Sequence, residues 1–99
     1  MEKQFFFYRL NPPRPDFHLN QSETERRIMS QHTQYWIALT EKGNTIVYGP
    51  VFDPKGVFGM GIIEVDNAEQ ADTIGKEDPA VSSKLCTCEL IPMQVGMMR

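Results

Sequence analysis

Gln4-Phe5-Phe6-Phe7-Tyr8-Arg9-Leu10 is the stretch on which the fold turns. It is too short for a helix and rich in the aromatic residues that suit strands, so it reads as a β-strand. Side chains alternate across a strand, which puts Phe5 and Phe7 on one face and Phe6, Tyr8 and Leu10 on the other. A strand in an open antiparallel sheet with one wet face alternates apolar with polar residues. This one is apolar on both sides, so both faces of its sheet are expected to be covered.

Outward from that strand, Asn11-Pro12-Pro13-Arg14-Pro15-Asp16 is a proline-dense loop that can neither continue a ladder nor start a helix early. Ser22 then reads as a helix N-cap, with Glu25 placed to complete a capping box. Ile28, Met29, Tyr35, Trp36 and Leu39 follow at helical spacing, and His32 falls inside that stripe. Gly43 is placed to end the helix in a left-handed conformation. Asn44 to Val51 reads as a second strand, Asp53-Pro54-Lys55-Gly56 as a type I turn, and Val57 to Val65 as a third strand. Gly59 and Gly61 on one face of that strand permit close approach of a helix or ligand, or mark a bulge.

Asp66 or Asn67 caps a second helix that runs to about Glu77, with Glu69 or Gln70 available to complete the box. Asp78 precedes Pro79, and a residue before proline is biased away from helical dihedrals, so the helix should stop there. Leu85 to about Gln94 is a fourth strand, and Pro92 suits an edge position or a bulge. The order strand–helix–strand–strand–helix–strand predicts an α+β, ferredoxin-like βαββαβ layer: a four-stranded antiparallel sheet with both helices on one face. Right-handed crossovers would place the first and third strands in the middle. Those are the strands with apolar side chains on both faces. A second copy of the sheet is the simplest cover for the helix-free face, so a homodimer dimerising through the sheet is expected.

The 99 residues suit a single domain, with a core thin enough to gain from a partner surface. A formal charge of −3 argues against a nucleic-acid partner, because the only basic doublet, Arg26-Arg27, is diluted by Glu23 and Glu25. No apolar run approaches the ~20 residues of a membrane span, and the N-terminal stretch lacks the pattern of a signal peptide. Cys86 and Cys88, one residue apart on a strand, are poorly placed to bridge each other, which points to a reducing, cytoplasmic compartment. They also lack the partners of a metal site, and Gly56-Val57-Phe58-Gly59-Met60-Gly61 lies in a hairpin rather than before a helix. No metal or cofactor is expected. His18, in the proline-rich loop, reads as a solvated histidine, and Met93, Met97 and Met98 as fillers of core or dimer gaps.

The ordered set His32-x-x-Tyr35-Trp36-x-x-Leu39-x-x-x-Gly43, Ile46-Val47-Tyr48-Gly49-Pro50, Ile63-Glu64-Val65-Asp66, Glu69-x-Ala71 and Asp78-Pro79 resembles the YCII-related family. The resemblance implies a ferredoxin-like fold, dimerisation of the α+β-barrel kind, and an active site centred on a histidine and an aspartate. Residue by residue these are His32 and Asp78, with Gly49-Pro50 as the Gly-Pro closing the second strand. Two features depart from many relatives: the long proline-rich loop, and Trp36 where a smaller aliphatic residue is usual. Both would reshape a pocket mouth.

A carboxylate held against one ring nitrogen of a histidine fixes the tautomer and leaves the other nitrogen for a substrate proton. His32 as general base or acid, oriented by Asp78, would suit a small cofactor-independent enzyme. Its reaction would be elimination or isomerisation on a small molecule, a hydroxylated aromatic among the candidates that the resemblance implies. The plainer alternative is a half-buried histidine bonded to Asp78 for structural reasons. Gly49, Pro50, Tyr8, Tyr48 and Trp36 are the substrate-binding candidates, each with a structural alternative: a strand terminator, or a buried aromatic with one hydrogen bond. The rival function is a non-catalytic dimeric module that binds a small ligand or assists a neighbouring enzyme.

Overall fold

A computed structural model describes residues 2–99. Strands β1 (Gln4–Asn11), β2 (Thr45–Val51), β3 (Phe58–Val65) and β4 (Thr87–Met93) form one antiparallel sheet in the order β2-β3-β1-β4. The first and third strands occupy the centre, as right-handed crossovers predict. Pro92 lies on the edge strand β4, where a missing N–H costs least. The register places Tyr8 opposite both Gly61 and Leu90, and Tyr48 opposite Gly61. Phe6, Tyr8 and Leu10 therefore share one face with Ile63 and Val65.

Helices α1 (Glu23–Glu41) and α2 (Ala68–Glu77) both pack on that face. The capping box at the start of α1 is complete: the Glu25 N–H donates to Ser22 Oγ at 3.1 Å, and the Ser22 N–H donates to Glu25 Oε1 at 2.8 Å. Gly43 beyond its end has φ +89°, the left-handed region that glycine enters without strain. At α2, Asn67 is the cap, and Gln70 reaches back to the Asp66 N–H rather than to that of Asn67. Trp36 and Leu39 from α1 and Ala71 and Ile74 from α2 meet Phe6, Tyr8 and Ile63 in the core. Gly61 sets how closely α1 approaches: a Cβ there would lie 3.3 Å from the Trp36 ring. Close helix approach, not a bulge, is thus the use of that glycine. The irregularity of the hairpin sits on β2 instead, where the register shifts between Thr45 and Val47.

Two short elements depart from the sequence reading. The proline-rich loop contains a 3-10 turn, Phe17–Leu19, that inserts Phe17 into the protein at 5% exposure. After α2 a separate one-turn helix, α3 (Pro79–Ser82), precedes β4. Asp78 adopts the extended conformation expected before proline (φ −60°, ψ 123°) and ends α2. Its side chain then caps α3 by accepting the Ala80 N–H, with Pro79 at the favourable first helical position. Cys86 consequently precedes β4 instead of lying within it, and accompanies Ala80 in the core.

Among the described residues no helix covers the opposite face of the sheet. Phe5 and Phe7 are half-buried there, and Val47 and Ile91, aligned with them by the register, are exposed. Met97 and Met98 lie outside the core. Among the described residues no helix is long and apolar enough to cross a membrane.

Candidate functional site

Asp78 organises the site because it is wholly buried and saturated with donors. Oδ1 accepts the Ala80 N–H at 2.9 Å, while Oδ2 accepts the Tyr8 hydroxyl at 2.7 Å and the Trp36 indole N–H at 2.8 Å. His32 Nδ1 lies 2.8 Å from Oδ1 and 2.9 Å from Oδ2. Four elements thus converge on one carboxylate: β1 through Tyr8, α1 through His32 and Trp36, the α2–α3 junction through Asp78, and α3 through its own first turn. Burial by itself would push the Asp78 carboxyl up. The His32 contact, with the Trp36 and Tyr8 donors, outweighs that and holds it below the usual carboxylate range. Asp78 is therefore an anion that only accepts.

An accepting carboxylate decides the state of the histidine. In the neutral ring the proton sits on Nδ1, facing Asp78, and the lone pair sits on Nε2. Among the described residues Nε2 has no partner, and it is not among the buried unpartnered atoms, so it keeps access to solvent. The His32 side chain is 13% exposed, enough for one edge of the ring. The spacing that puts His32 one turn after Ile28 and one before Trp36 is what turns it toward Asp78 on the inner flank of α1.

His32 also lines a cavity of about 260 Å³. Tyr8, Trp36, Tyr48, Gly49 and Pro50 line it too, so every substrate-binding candidate from the sequence is brought to one place, with Asp78 behind the wall. Trp36 does not stand at the mouth as expected. At 1% exposure it is an inner wall, packed between Tyr8 (ring centroids 4.8 Å apart) and Tyr48 (5.8 Å, nearly parallel). Tyr8 presents its ring to the cavity but donates its hydroxyl to Asp78. Burial, then the nearby Asp78 charge, pushes its pKa far up, so it stays protonated. A Cβ at Gly49 would meet nothing within 4 Å, so this wall does not depend on glycine there.

Several parts of the wall escaped the sequence reading. Phe17 and Gln21 come from the proline-rich loop, and His18, though exposed, stands on the rim with its ring edge-on to Phe52. Met29 and Thr33 flank His32 on α1; their helical spacing from it was the available signal. Cys86 contributes a thiol that burial, then Asp78, pushes up to about 11, so it is a neutral lining group rather than a nucleophile. No cluster of three metal-ligating side chains occurs among the described residues.

A ferredoxin-like α+β domain with a carboxylate-oriented histidine beside an apolar cavity is the class of protein these features define. The chain belongs to the YCII-related domain family, whose model matches residues 5–94. No curated protein matches it significantly.

Proposed function

We propose that the protein is a cofactor-independent acid–base enzyme acting on a small molecule, a hydroxylated aromatic among the candidates, by elimination or isomerisation. The observation that carries this reading is the asymmetry of the His32 ring. Nδ1 is locked to a buried, four-donor carboxylate, while Nε2 of the same cavity-lining ring has no partner among the described residues. Nε2 takes a proton from an activated C–H of the ligand, and Asp78 stabilises the imidazolium that forms. The proton returns to a second carbon in an isomerisation. In an elimination, the electron pair of the broken C–H bond expels a leaving group instead. A positioned base of this kind contributes roughly 10²–10⁴ in rate.

Solvent deuterium exchange tests the step without knowledge of the product. Small carbonyl and hydroxylated aromatic compounds are incubated in D₂O with the protein, and loss of the C–H signal is followed by proton NMR. Exchange that His32→Gln lowers by about 100-fold or more supports the reading. If no compound exchanges, or His32→Gln exchanges as fast as wild type, it fails. The predominantly apolar wall also suits a second reading, a non-catalytic small-ligand-binding or accessory module. That reading predicts ligand affinity that survives His32→Gln, with no exchange in either protein.

The assembly we propose is a homodimer through the helix-free face of the sheet. Its support is the apolar character of Phe5, Phe7, Val47, Ile91 and Met93 on that face, which solvent covers in a single chain. Light scattering on the size-exclusion peak at micromolar concentration decides it: a monomer mass defeats the argument from the two-sided strand.

A further inference from the structure

We propose that the proline-rich loop Pro12–Gln21 is the specificity wall of this cavity, that Phe17 is its ligand-contacting residue, and that the ligand it selects is uncharged and planar. The inference rests on the cavity being the functional site and adds the class of molecule it takes.

The loop is built to hold one aromatic ring in place. Arg14 stacks its guanidinium over the Phe17 ring, 5.1 Å from the centroid. The same guanidinium grips Glu25 with two nitrogens, at 2.8 and 3.0 Å, and also donates to the side chain and carbonyl of Asn20. Glu25 is meanwhile fixed by the capping box of α1. On the other side Pro15 packs on Gly56, where a Cβ would lie 3.1 Å from the proline Cβ. Phe17 is therefore clamped from the loop, from α1 and from the β2–β3 turn. The charge of Arg14 is spent on Glu25 and Asn20, and Arg14 does not line the cavity.

The rest of the lining points to the same ligand. No Asp, Glu, Lys or Arg lines the cavity, and aromatic rings reach it from the loop (Phe17), from α1 (Trp36) and from β2 (Tyr48). Removing a charged group from water is costly unless an opposite charge or several hydrogen bonds receive it. The buried anion nearest the cavity, Asp78, has its acceptor positions filled. An ion of either sign thus meets no carboxylate, ammonium or guanidinium of opposite charge in the lining, whereas a flat neutral ring meets aromatic faces. The volume of about 260 Å³ exceeds the roughly 150 Å³ in which an apolar site accepts benzene, leaving room for a ring with substituents.

Benzamide, benzoate and benzamidinium share one shape and differ in charge, which makes them suitable probes. Trp36 is the only tryptophan, so a single indole N–H resonance reports on the cavity in a heteronuclear NMR titration. Benzamide should bind at least about tenfold more tightly than either ion. Intermolecular NOEs should connect the bound ring to Phe17. Phe17→Leu and Phe17→Ala should each weaken benzamide by about threefold to tenfold. The proposal is overturned if benzamide does not bind, if either ion binds as tightly, or if the wild type gives no contact to Phe17. Retained affinity in a folded Phe17 variant also overturns it. None of these readouts needs turnover, so they stand or fall separately from deuterium exchange by His32.

Discussion

Replacing Asp78 by Asn changes a buried acceptor into a group that is half donor, with no change in size. In the wild type, four donors point at the two oxygens, and none of the carboxylate reaches solvent. The asparagine amide offers one oxygen. If it sits at the Oδ2 position, Tyr8 and Trp36 keep their acceptor and the Ala80 N–H faces an NH₂ group. If it sits at Oδ1, Ala80 is satisfied and the Trp36 indole N–H is orphaned, since an indole can only donate. Either way a buried donor loses its partner, at about 1–3 kcal/mol, and the surviving bonds lose their charge-assisted strength. The orphaned donor and the two or three weakened bonds to the former carboxylate together should cost about 3–5 kcal/mol. Against a typical domain stability of about 5–15 kcal/mol that is a large share, and it corresponds to a fall in Tm of at least about 12 °C. Urea unfolding followed by circular dichroism at pH 7 measures it, and a loss below about 1 kcal/mol would refute the account of Asp78 as the hub of the helical layer.

The same variant carries a pH signature whose sign follows from linkage. The Asp78 carboxyl is held below its ordinary value of about 3.9, so over the interval between the folded and unfolded values the unfolded chain binds more protons. Its stabilisation is fully present above about pH 4 and is lost as the pH falls through the lower folded value. Wild type should therefore lose stability in acid more steeply than Asp78→Asn, and parallel acid profiles for the two proteins would contradict the depressed pKa.

Two further outcomes follow from single contacts. Tyr8→Phe removes only the hydroxyl bonded to Asp78 at 2.7 Å and should cost about 1.5–3 kcal/mol in urea unfolding, with acid destabilisation setting in at higher pH because one lowering donor is gone. Gly75→Ala places a methyl group 3.0 Å from Leu90 Cδ1 and 3.1 Å from Cys88 Sγ. Strain of about 1–3 kcal/mol should exceed the roughly 0.8–1 kcal/mol gained in helix propensity, so the thermal midpoint falls; a rise would mean that β4 yields easily.

The local grammar of the chain was enough for the four strands and the two long helices, and the crossover rule for the order of the strands in the sheet. Ser22 with Glu25, Gly43, and Asp78 before Pro79 are contacts or dihedral limits within a few residues, so the sequence carries them in full. The handedness of the crossovers placed Gln4–Leu10 at the centre of the sheet, and its two-sided apolar pattern agrees with that place. His32 and Asp78 were legible as candidates through the family resemblance, and a helical stripe and a pre-proline stop said where each lies. Their contact, at a separation of 46 residues, was left to the packing of α1 against the α2–α3 junction.

Only the tertiary structure decided what surrounds that contact. Tyr8, Trp36 and the Ala80 N–H converge on Asp78 because the register sets Tyr8 opposite Gly61 and Gly61 admits the Trp36 ring. Phe17 became a wall of the cavity because Arg14, which stacks on its ring, is held by Glu25 on α1. A proline-rich loop read residue by residue carries no periodicity to disclose such a role, since its conformation comes from long-range partners rather than from its own repeat.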